Sequence, residues 1–393
     1  MKYISPLFFL LFIAYTLSAQ KALLNDYATI DQKALKLPDS LSTNTDRIAQ
    51  YMTAHFKTDK EKARAVFIWV ANNIQYDIDH MFAINFYEKR EEKIAKSLRT
   101  RKGICENYAT LFTDICMKTG VRSYVIEGYT KQNGFADYIP HAWSAAFIDS
   151  SWFLFDPTWG SGYISGGKFV KKINNDYFQV SPAKLIKSHM PFDYLWQFLP
   201  YPVTSQEFYE GKTQQNNVKP LFGFADSIEV NEKLSPVDQW NLSAYRVEKN
   251  GVKNSLVFDR LQHLKLEIEK DKQNRIIELY NGAVVDYNDG INAFNEFIYY
   301  RNKQFTPPKT DPEIQKMLDE PDRKLKEAKS KVAQISNPDV NTANMIKQLT
   351  KSVDDALVQL KEHQDWLQLY FSKGKVGRKS MFYKVSLFGK PIN

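Results

Sequence analysis

The fold is decided by three motifs between residues 99 and 160, which read GIC at 103–105, PHAW at 140–143 and FDPTW at 155–159. They supply a thiol, an imidazole and a carboxylate in that order, each at the edge of a predicted helix or strand. A thiol attacks a carbonyl carbon well only as a thiolate, so it needs a neighbouring base and a third group that orients the base. The motifs therefore predict an enzyme with a nucleophilic cysteine.

The cysteine of the first motif begins a predicted helix that runs from about Cys105 to Lys118. Gly103 before it and Gly120 after it fit backbone conformations that other residues resist. Unpaired N–H groups and the dipole at a helix N-terminus stabilise a thiolate. Cys105 is therefore the predicted nucleophile, and its backbone N–H is the predicted oxyanion donor. Cys116, on the same face, is interpreted as a small core residue.

The second and third motifs fall on a predicted β-hairpin. Apolar runs at 142–148 and 152–155 are separated by three turn-forming residues, a hairpin pattern. In the register expected for this turn, His141 lies directly opposite Asp156, and a shift of two residues keeps both on one face. The sequence thus predicts His141 as base and then acid, Asp156 as the group that orients it, and Trp143 on the same face to exclude water.

The second oxyanion donor is not fixed by the sequence. Its candidates are Trp69, Tyr76 and Asn107, and Trp143 is a further candidate for contact with substrate. A cysteine, histidine or aspartate taken singly is more often a packing, capping or solvated residue. The function prediction therefore depends on the ordered set of three and on the hairpin register that brings two of them together.

The first 19 residues have the pattern of a secretory leader. One lysine precedes an apolar run from Leu7 to Leu17, and small residues end at Ala19, the predicted cleavage site. The run is shorter than the roughly 20 residues that a membrane helix needs, and no later segment is apolar enough to span a membrane. We therefore expect an exported protein, periplasmic or secreted.

Three regions are expected after the leader, because the 393 residues of the full sequence exceed one typical domain. Residues 20–213 form the predicted catalytic domain, in which 59–76 reads as a helix and 121–129 as a strand. Residues 214–287 contain short alternating runs and are predicted to be β-rich. Residues 288–393 are predicted to be helical, with sparse apolar stripes that suit a small bundle or a surface for an envelope partner.

Composition limits the partners. The chain is 43% hydrophobic and 14% aromatic, enough for a real core, and its formal charge is +8, or +7 once Lys2 leaves with the leader. Solvated lysines on the C-terminal helices explain much of this excess, although a basic surface for an acidic polymer or an anionic envelope is an alternative. The sequence has no aromatic-interleaved basic stretch and no zinc-finger spacing, which argues against nucleic acid.

The two cysteines are predicted to remain unpaired with each other. Cys105 and Cys116 lie 11 residues apart in one predicted helix, which separates them by about 16 Å. A disulfide requires Cα atoms within about 7 Å. Because exported proteins normally use cysteines in pairs, at least one free thiol here calls for a chemical role.

These motifs resemble the core of the transglutaminase-like superfamily. The similarity covers about residues 60–160, including GICENYA at 103–109, HAW at 141–143 and FDPT at 155–158. Downstream runs such as SHMP at 188–191 resemble the kyphoscoliosis peptidase-like branch. The resemblance implies a papain-like α+β fold in the catalytic domain, followed by the β-containing and helical regions. It also implies a triad at Cys105, His141 and Asp156.

The same resemblance implies acyl transfer from an amide through a thioester. Water as acceptor makes a peptidase or amidase, and an amine makes a cross-linking transglutaminase; the sequence leaves this open, and we favour hydrolysis of a protein or peptide substrate. No cofactor or metal is expected, because no acidic calcium loop of the EF-hand type is present. His189, in the downstream segment, is interpreted as structural.

The sequence leaves three alternatives to compare with this interpretation. An arylamine N-acetyltransferase has a similar Cys-His-Asp spacing, but it needs acetyl-CoA, and the DPT run at 156–158 fits the transglutaminase form better. A zinc site lacks a tetrahedral ligand set. A non-catalytic binding or scaffold protein of the cell envelope is the alternative from another functional class, which the long C-terminal helices would suit.

Overall fold

The computed structural model describes residues 27–85, 88–131, 138–385 and 391–392. The chain divides into two compact units, Met1–Lys265 and Leu266–Asn393. The helices are 27–34 (α1), Thr45–His55 (α2), Asp59–Asn73 (α3), Arg90–Thr100 (α4), Cys105–Lys118 (α5), Pro182–Leu185 (α6), Ser205–Tyr209 (α7), Phe224–Lys233 (α8), Pro236–Asn250 (α9), Ser255–Asn302 (α10), Asp311–Ala333 (α11), Val340–Phe371 (α12) and Lys375–Ser380 (α13). The strands are Gln75–Tyr76 (β1), Lys102–Gly103 (β2), Ser123–Thr130 (β3), Ile139–Ile148 (β4), Ser151–Phe155 (β5), Gly162–Ser165 (β6), Lys168–Lys171 (β7), His189–Pro191 (β8), Lys384–Val385 (β9) and Pro391–Ile392 (β10).

The predicted leader lies outside the described residues. Among the described helices, none is both long enough and apolar enough to cross a bilayer. The predicted α+β class is confirmed, and the C-terminal region is helical, as expected.

A four-stranded antiparallel sheet with the order β5-β4-β3-β8 forms the centre of the first unit. β4 pairs with β3 on one side and with β5 on the other. The pairing of β8 with β3 depends on Gly128, because a Cβ atom there would overlap the backbone oxygen of Met190. A glycine on β3 thus allows β8 to join the sheet next to the candidate site.

The β4–β5 hairpin has a register that differs from the predicted one by two residues. Its turn consists of Asp149 and Ser150, both with positive φ (48° and 62°), as in the mirror-image two-residue turns that match strand twist. Ser144 pairs with Phe155, so this register places Trp143, not His141, opposite Asp156. The prediction of direct opposition was wrong. A shift of two residues preserves the face, so His141 and Asp156 still meet.

Helix α5 carries the thiol and packs against β4. The Ser144 hydroxyl donates to the Ala109 carbonyl (3.1 Å) from the strand to the helix. The start of the helix is held by Asn107, whose Oδ1 accepts from the backbone N–H of Ile104 (2.9 Å). A side chain at Gly103 would collide with that asparagine, because its Cβ would lie 2.5 Å from the Cβ of Asn107. The predicted helix from Cys105 to Lys118 is confirmed in full.

Residues 214–287 form helices α8, α9 and most of α10, so the predicted β-rich region was wrong. The short runs at 255–258 and 264–268 resembled alternation in a narrow window. The buried residues of this stretch, Val257, Leu261 between the two runs, and Leu264, instead recur at spacings of four and three, which is the period of a helix face. The predicted boundaries at 213 and 287 also differ from the division after Lys265.

The second unit contains the part of α10 from Leu266 onward, α11, α12 and α13, and the short strands β9 and β10. The prediction that the C-terminal region is helical is confirmed here by α11 and α12. Their core is aromatic and aliphatic, with Phe297, Leu318 and Leu360 fully buried. The sparse apolar stripes in the sequence are therefore the mutual packing faces of a small bundle.

Candidate active site

The three predicted site residues come together in the first unit. Cys105 is the first residue of α5, His141 lies on β4, and Asp156 directly follows β5. All three are buried, with 2%, 6% and 0% of their surface exposed. The Nε2 of His141 lies 2.8 Å from Oδ2 of Asp156. The thiol of Cys105 is a hydrogen-bond partner of the same imidazole, which leaves the ring between sulfur and carboxylate.

The carboxylate of Asp156 accepts four hydrogen bonds. Oδ1 accepts from the backbone N–H groups of Thr158 (2.9 Å) and Trp159 (3.1 Å). Oδ2 accepts from His141 and, at 3.2 Å, from Nε2 of His189. Because a fully buried carboxylate is costly unless it is paired and hydrogen-bonded, these four donors are what keep it ionised.

The titration of His141 and Asp156 follows from this pairing. Burial lowers the pKa of His141, but the charge and hydrogen bond of Asp156, together with the Cys105 thiol, outweigh it and raise that pKa to about 10. Burial raises the pKa of Asp156, but His141 and then His189 outweigh it and hold that pKa well below its usual range. At neutral pH the imidazole therefore carries a proton between the sulfur of Cys105 and an ionised carboxylate, the arrangement that activates a cysteine nucleophile.

His189 is a partner of the site that sequence reasoning assigned to structure alone. It is 1% exposed, and burial, with the neighbouring His141, lowers its pKa against the opposing effect of Asp156. A neutral ring that donates from Nε2 to Asp156 must accept at Nδ1, where the Ser188 hydroxyl lies 2.8 Å away. The signal in the sequence was the SHMP run itself, but nothing local to it pointed to Asp156.

His141, Asp156 and His189 also offer three metal-ligand atoms within 4.8 Å of one another. The Nε2 atoms of His141 and His189 both donate to the Asp156 carboxylate, so a metal ion would have to displace these two hydrogen bonds. A structural zinc site needs four protein ligands, and the described residues group only these three. The arrangement fits a hydrogen-bonded cluster better than a metal centre.

A cleft of about 1160 Å³ includes both Cys105 and His141 in its lining. Aromatic side chains make up much of its wall, namely Tyr76, Phe82, Trp159, Tyr163, Phe169 and Tyr177. The glycine-rich segment after Gly160 forms the β6–β7 hairpin and supplies part of this wall. The ring centroid of Trp159 lies 5.4 Å from that of His141, so it covers the imidazole.

Comparison with known proteins places this geometry in a family. Residues 46–157 match the model of the transglutaminase-like superfamily. Human kyphoscoliosis peptidase is 34% identical over 171 residues, which cover 42% of this chain and 25% of the human protein. The chain carries a transglutaminase-like domain of the kyphoscoliosis peptidase-like branch.

Other similarities are weaker. Hillarin from Drosophila melanogaster is 25% identical over 204 residues, which cover 47% of this chain and 24% of that protein. The matched segment thus spans about a quarter of the length of these curated relatives. A solved TGase structure is 20% identical and covers 39% of this chain and 42% of that chain, with a TM-score of 0.25, too low to bear on the fold.

The four candidates for oxyanion or substrate contact in the transglutaminase-like domain have different surroundings, and only one of them lines the cleft. Tyr76 lines the cleft, and burial, followed by the charges of Cys105 and Asp156, raises its pKa, so it keeps its hydroxyl proton. Trp69 is a core residue with Arg101 over its ring at 5.5 Å. Asn107 is used in capping α5. Trp143 is fully buried behind the site, 5.1 Å from the His189 ring.

The predicted separation of the two cysteines is confirmed, since both are free. Iodoacetamide is expected to alkylate Cys105 at least tenfold faster than Cys116. Cys105 lines the cleft beside a protonated imidazole, whereas burial raises the pKa of Cys116 well above its ordinary value. Mass spectrometry of peptides from the native protein measures both rates at pH 6.

The matched variant for this labelling is His141→Ala. It should slow alkylation of Cys105 and leave Cys116 unchanged, because the ring that takes the thiol proton is gone. Equal labelling of the two cysteines, or a Cys105 rate indifferent to His141→Ala, would contradict the pairing of thiol and imidazole.

Proposed function

We propose that this chain is a thiol-dependent acyl-transfer enzyme that cleaves peptide or glutamine amides through a Cys105 thioester, with water as the acceptor. The observation that carries the proposal is the 2.8 Å hydrogen bond between His141 and Asp156, made beside a thiol that lines the cleft. The triad motifs predicted this chemistry from the sequence. The name peptidase given to the human relative supports hydrolysis over cross-linking.

In the acylation step, His141 holds the proton taken from the Cys105 thiol, and the resulting thiolate sulfur forms a bond to the amide carbonyl carbon. The carbonyl oxygen becomes an oxyanion, for which the backbone N–H of Cys105 at the start of α5 and the Tyr76 hydroxyl are the donors at hand. When the C–N bond breaks, His141 gives its proton to the departing amine. The ring becomes neutral and the acyl group remains on sulfur as a thioester.

In the deacylation step, His141 acts as a base. It takes a proton from water as the water oxygen bonds to the thioester carbon, and the C–S bond then breaks. The products are a carboxylic acid and a thiolate beside a protonated imidazole, so the starting state is restored. Asp156 holds the ring in one orientation through both transfers.

The test measures products rather than substrate loss. Glutamine-containing peptides are incubated with the purified protein and a labelled primary amine, and new carboxylates, ammonia and incorporated amine are measured by mass spectrometry. Hydrolysis predicts new carboxylates without amine incorporation. Cys105→Ala should give neither product, and Cys116→Ala, the matched cysteine control, should behave as the parent.

Two results would change the proposal. Amine incorporation that depends on Cys105 would assign the cross-linking branch of the same chemistry. Absence of any product that depends on Cys105, together with slow alkylation of that thiol, would favour the scaffold alternative. Neither result depends on knowing the natural substrate.

The proposal includes export and an envelope partner. The leader-like sequence at residues 1–19 supports export, and the lone thiol at the head of α5 gives a chemical reason for an unpaired cysteine in an oxidising compartment. The C-terminal bundle leaves large apolar residues exposed, among them Val358 and Leu369, and such residues suit a partner surface.

A further inference from the structure

We propose that the substrate is an acidic peptide, bound through carboxylates near the scissile amide by Lys131, Lys172 and Lys187. This inference rests on the proposed function, because it assigns the substrate class of the same site. The lining of the cleft supplies these three lysines. Among the described residues that line it, there is no aspartate or glutamate.

The lysines reach the cleft from three separate segments. Lys131 follows β3, Lys172 follows β7, and Lys187 lies just before β8. Backbone hydrogen bonds fix two of these positions, from Lys131 to the Ser188 carbonyl (3.0 Å) and from Lys172 to the Ser161 carbonyl (3.0 Å). Their convergence is therefore a product of the fold rather than of a run of lysines in the sequence.

The three ammonium groups also differ from nearby lysines in what they contact. Within the described part of the chain, no carboxylate lies within ion-pair distance of any of the three. Lys171, next in sequence to Lys172, donates to the Asn72 carbonyl, and Lys184 pairs with Asp176 at 3.8 Å. The cleft lysines are exposed, so their flexible side chains can move to meet a ligand.

The acidic groups of the site do not neutralise this charge. Asp156 is fully buried and already accepts bonds from two histidines. Three like charges in a concave, aromatic-walled cleft raise the local positive potential and attract anions. A peptide with carboxylates beside the reacting amide would relieve this repulsion, whereas a basic peptide would add to it. The aromatic walls leave room for apolar groups between the acidic ones.

The experiment compares two short peptide libraries that differ only in fixed glutamate or glutamine residues on either side of a central glutamine. The glutamate library should be turned over at least tenfold more efficiently in kcat/KM, mostly through KM, since exposed charge pairs affect binding by about two- to fivefold each. The preference should shrink as salt is raised from low to about 0.5 M.

The variant is the triple change Lys131→Gln, Lys172→Gln and Lys187→Gln. It should lose most of the preference for glutamate. Lys184→Gln, an exposed lysine outside the cleft lining, is the matched control and should keep it. Equal turnover of both libraries by the parent, or a preference unaffected by the triple variant, would overturn the inference while the proposed function stands.

A binding arm separates this inference from the proposed function. Fluorescence anisotropy of labelled glutamate-rich and glutamine-rich peptides with Cys105→Ala measures recognition without chemistry. Preferential binding that the triple lysine change abolishes would support the acidic-peptide site even if no turnover is found. Indistinguishable binding of the two peptides would reject the site irrespective of catalysis.

Discussion

Asp156→Asn is expected to lower kcat for amide hydrolysis, and with it kcat/KM, by about 10⁴-fold, the loss in kcat seen when the orienting carboxylate of a triad becomes an amide. The carboxylate of Asp156 accepts from four N–H groups. An asparagine offers one acceptor oxygen and an NH₂ group that must face donors. Either the two histidines or the two backbone N–H groups then lose their acceptor. In both arrangements the His141 ring loses the negative charge that stabilises its protonated form.

The pH profile gives this prediction a second readout. Asp156 raises the pKa of His141 to about 10, so the parent should remain active through neutral pH and lose activity as pH approaches that value. Removing the negative charge lowers the pKa of His141, and the alkaline limb of kcat/KM should move to lower pH. Stopped assays across pH 5 to 11 measure this limb.

The stability of the protein depends on pH in the opposite sense, because acid rather than alkali removes the contribution of Asp156. Because the folded pKa of Asp156 lies below its unfolded value, its contribution to the free energy of unfolding is present above the unfolded pKa and is lost as the pH falls through the folded pKa. Asp176→Asn, which alters an exposed carboxylate (78% exposed), is the matched control and should change neither profile. An Asp156→Asn enzyme with near-parent activity and an unshifted alkaline limb would rule out the orienting role.

The site could be predicted from the sequence more accurately than the whole fold. Cys105, His141 and Asp156 were predictable because a helix start and a hairpin are local features with strong patterns. The register of that hairpin was missed by two residues because the two-residue turn at Asp149 and Ser150 depends on backbone twist. The site survived this error because a strand repeats its faces every two residues.

The residues that were missed depend on tertiary contacts. His189 reaches Asp156 from 33 positions away through the pairing of β8 with β3, which no local pattern encodes. Trp69 and Trp143 looked like site residues because large aromatic side chains suit both cores and pockets. In α10, short alternating runs were mistaken for strands because the buried spacing extends beyond each run.

Arg64→Ala is expected to lower the free energy of unfolding of the first unit by about 3–5 kcal/mol, the cost of breaking a buried ion pair by removing one partner. Arg64, on α3, is 1% exposed. It donates two hydrogen bonds to Asp31 and one to Asn175, each 2.7 Å long. Its guanidinium also lies 4.8 Å from the ring centroid of Phe178, so the variant loses packing as well as charge.

This arginine also supports the site from a distance. Asn175 begins a short turn that includes Tyr177, whose carbonyl accepts from the backbone N–H of Asp156 (3.0 Å).

Urea unfolding followed by tryptophan fluorescence reports mainly on the first unit, since six of the seven tryptophans precede residue 241. Arg90→Ala removes a more exposed pair with Asp114 and should cost less than about 1 kcal/mol. Equal losses for the two variants would mean that Arg64 stabilises the unit no more than a surface arginine does, and that the turn bearing Tyr177 is held by its apolar contacts instead.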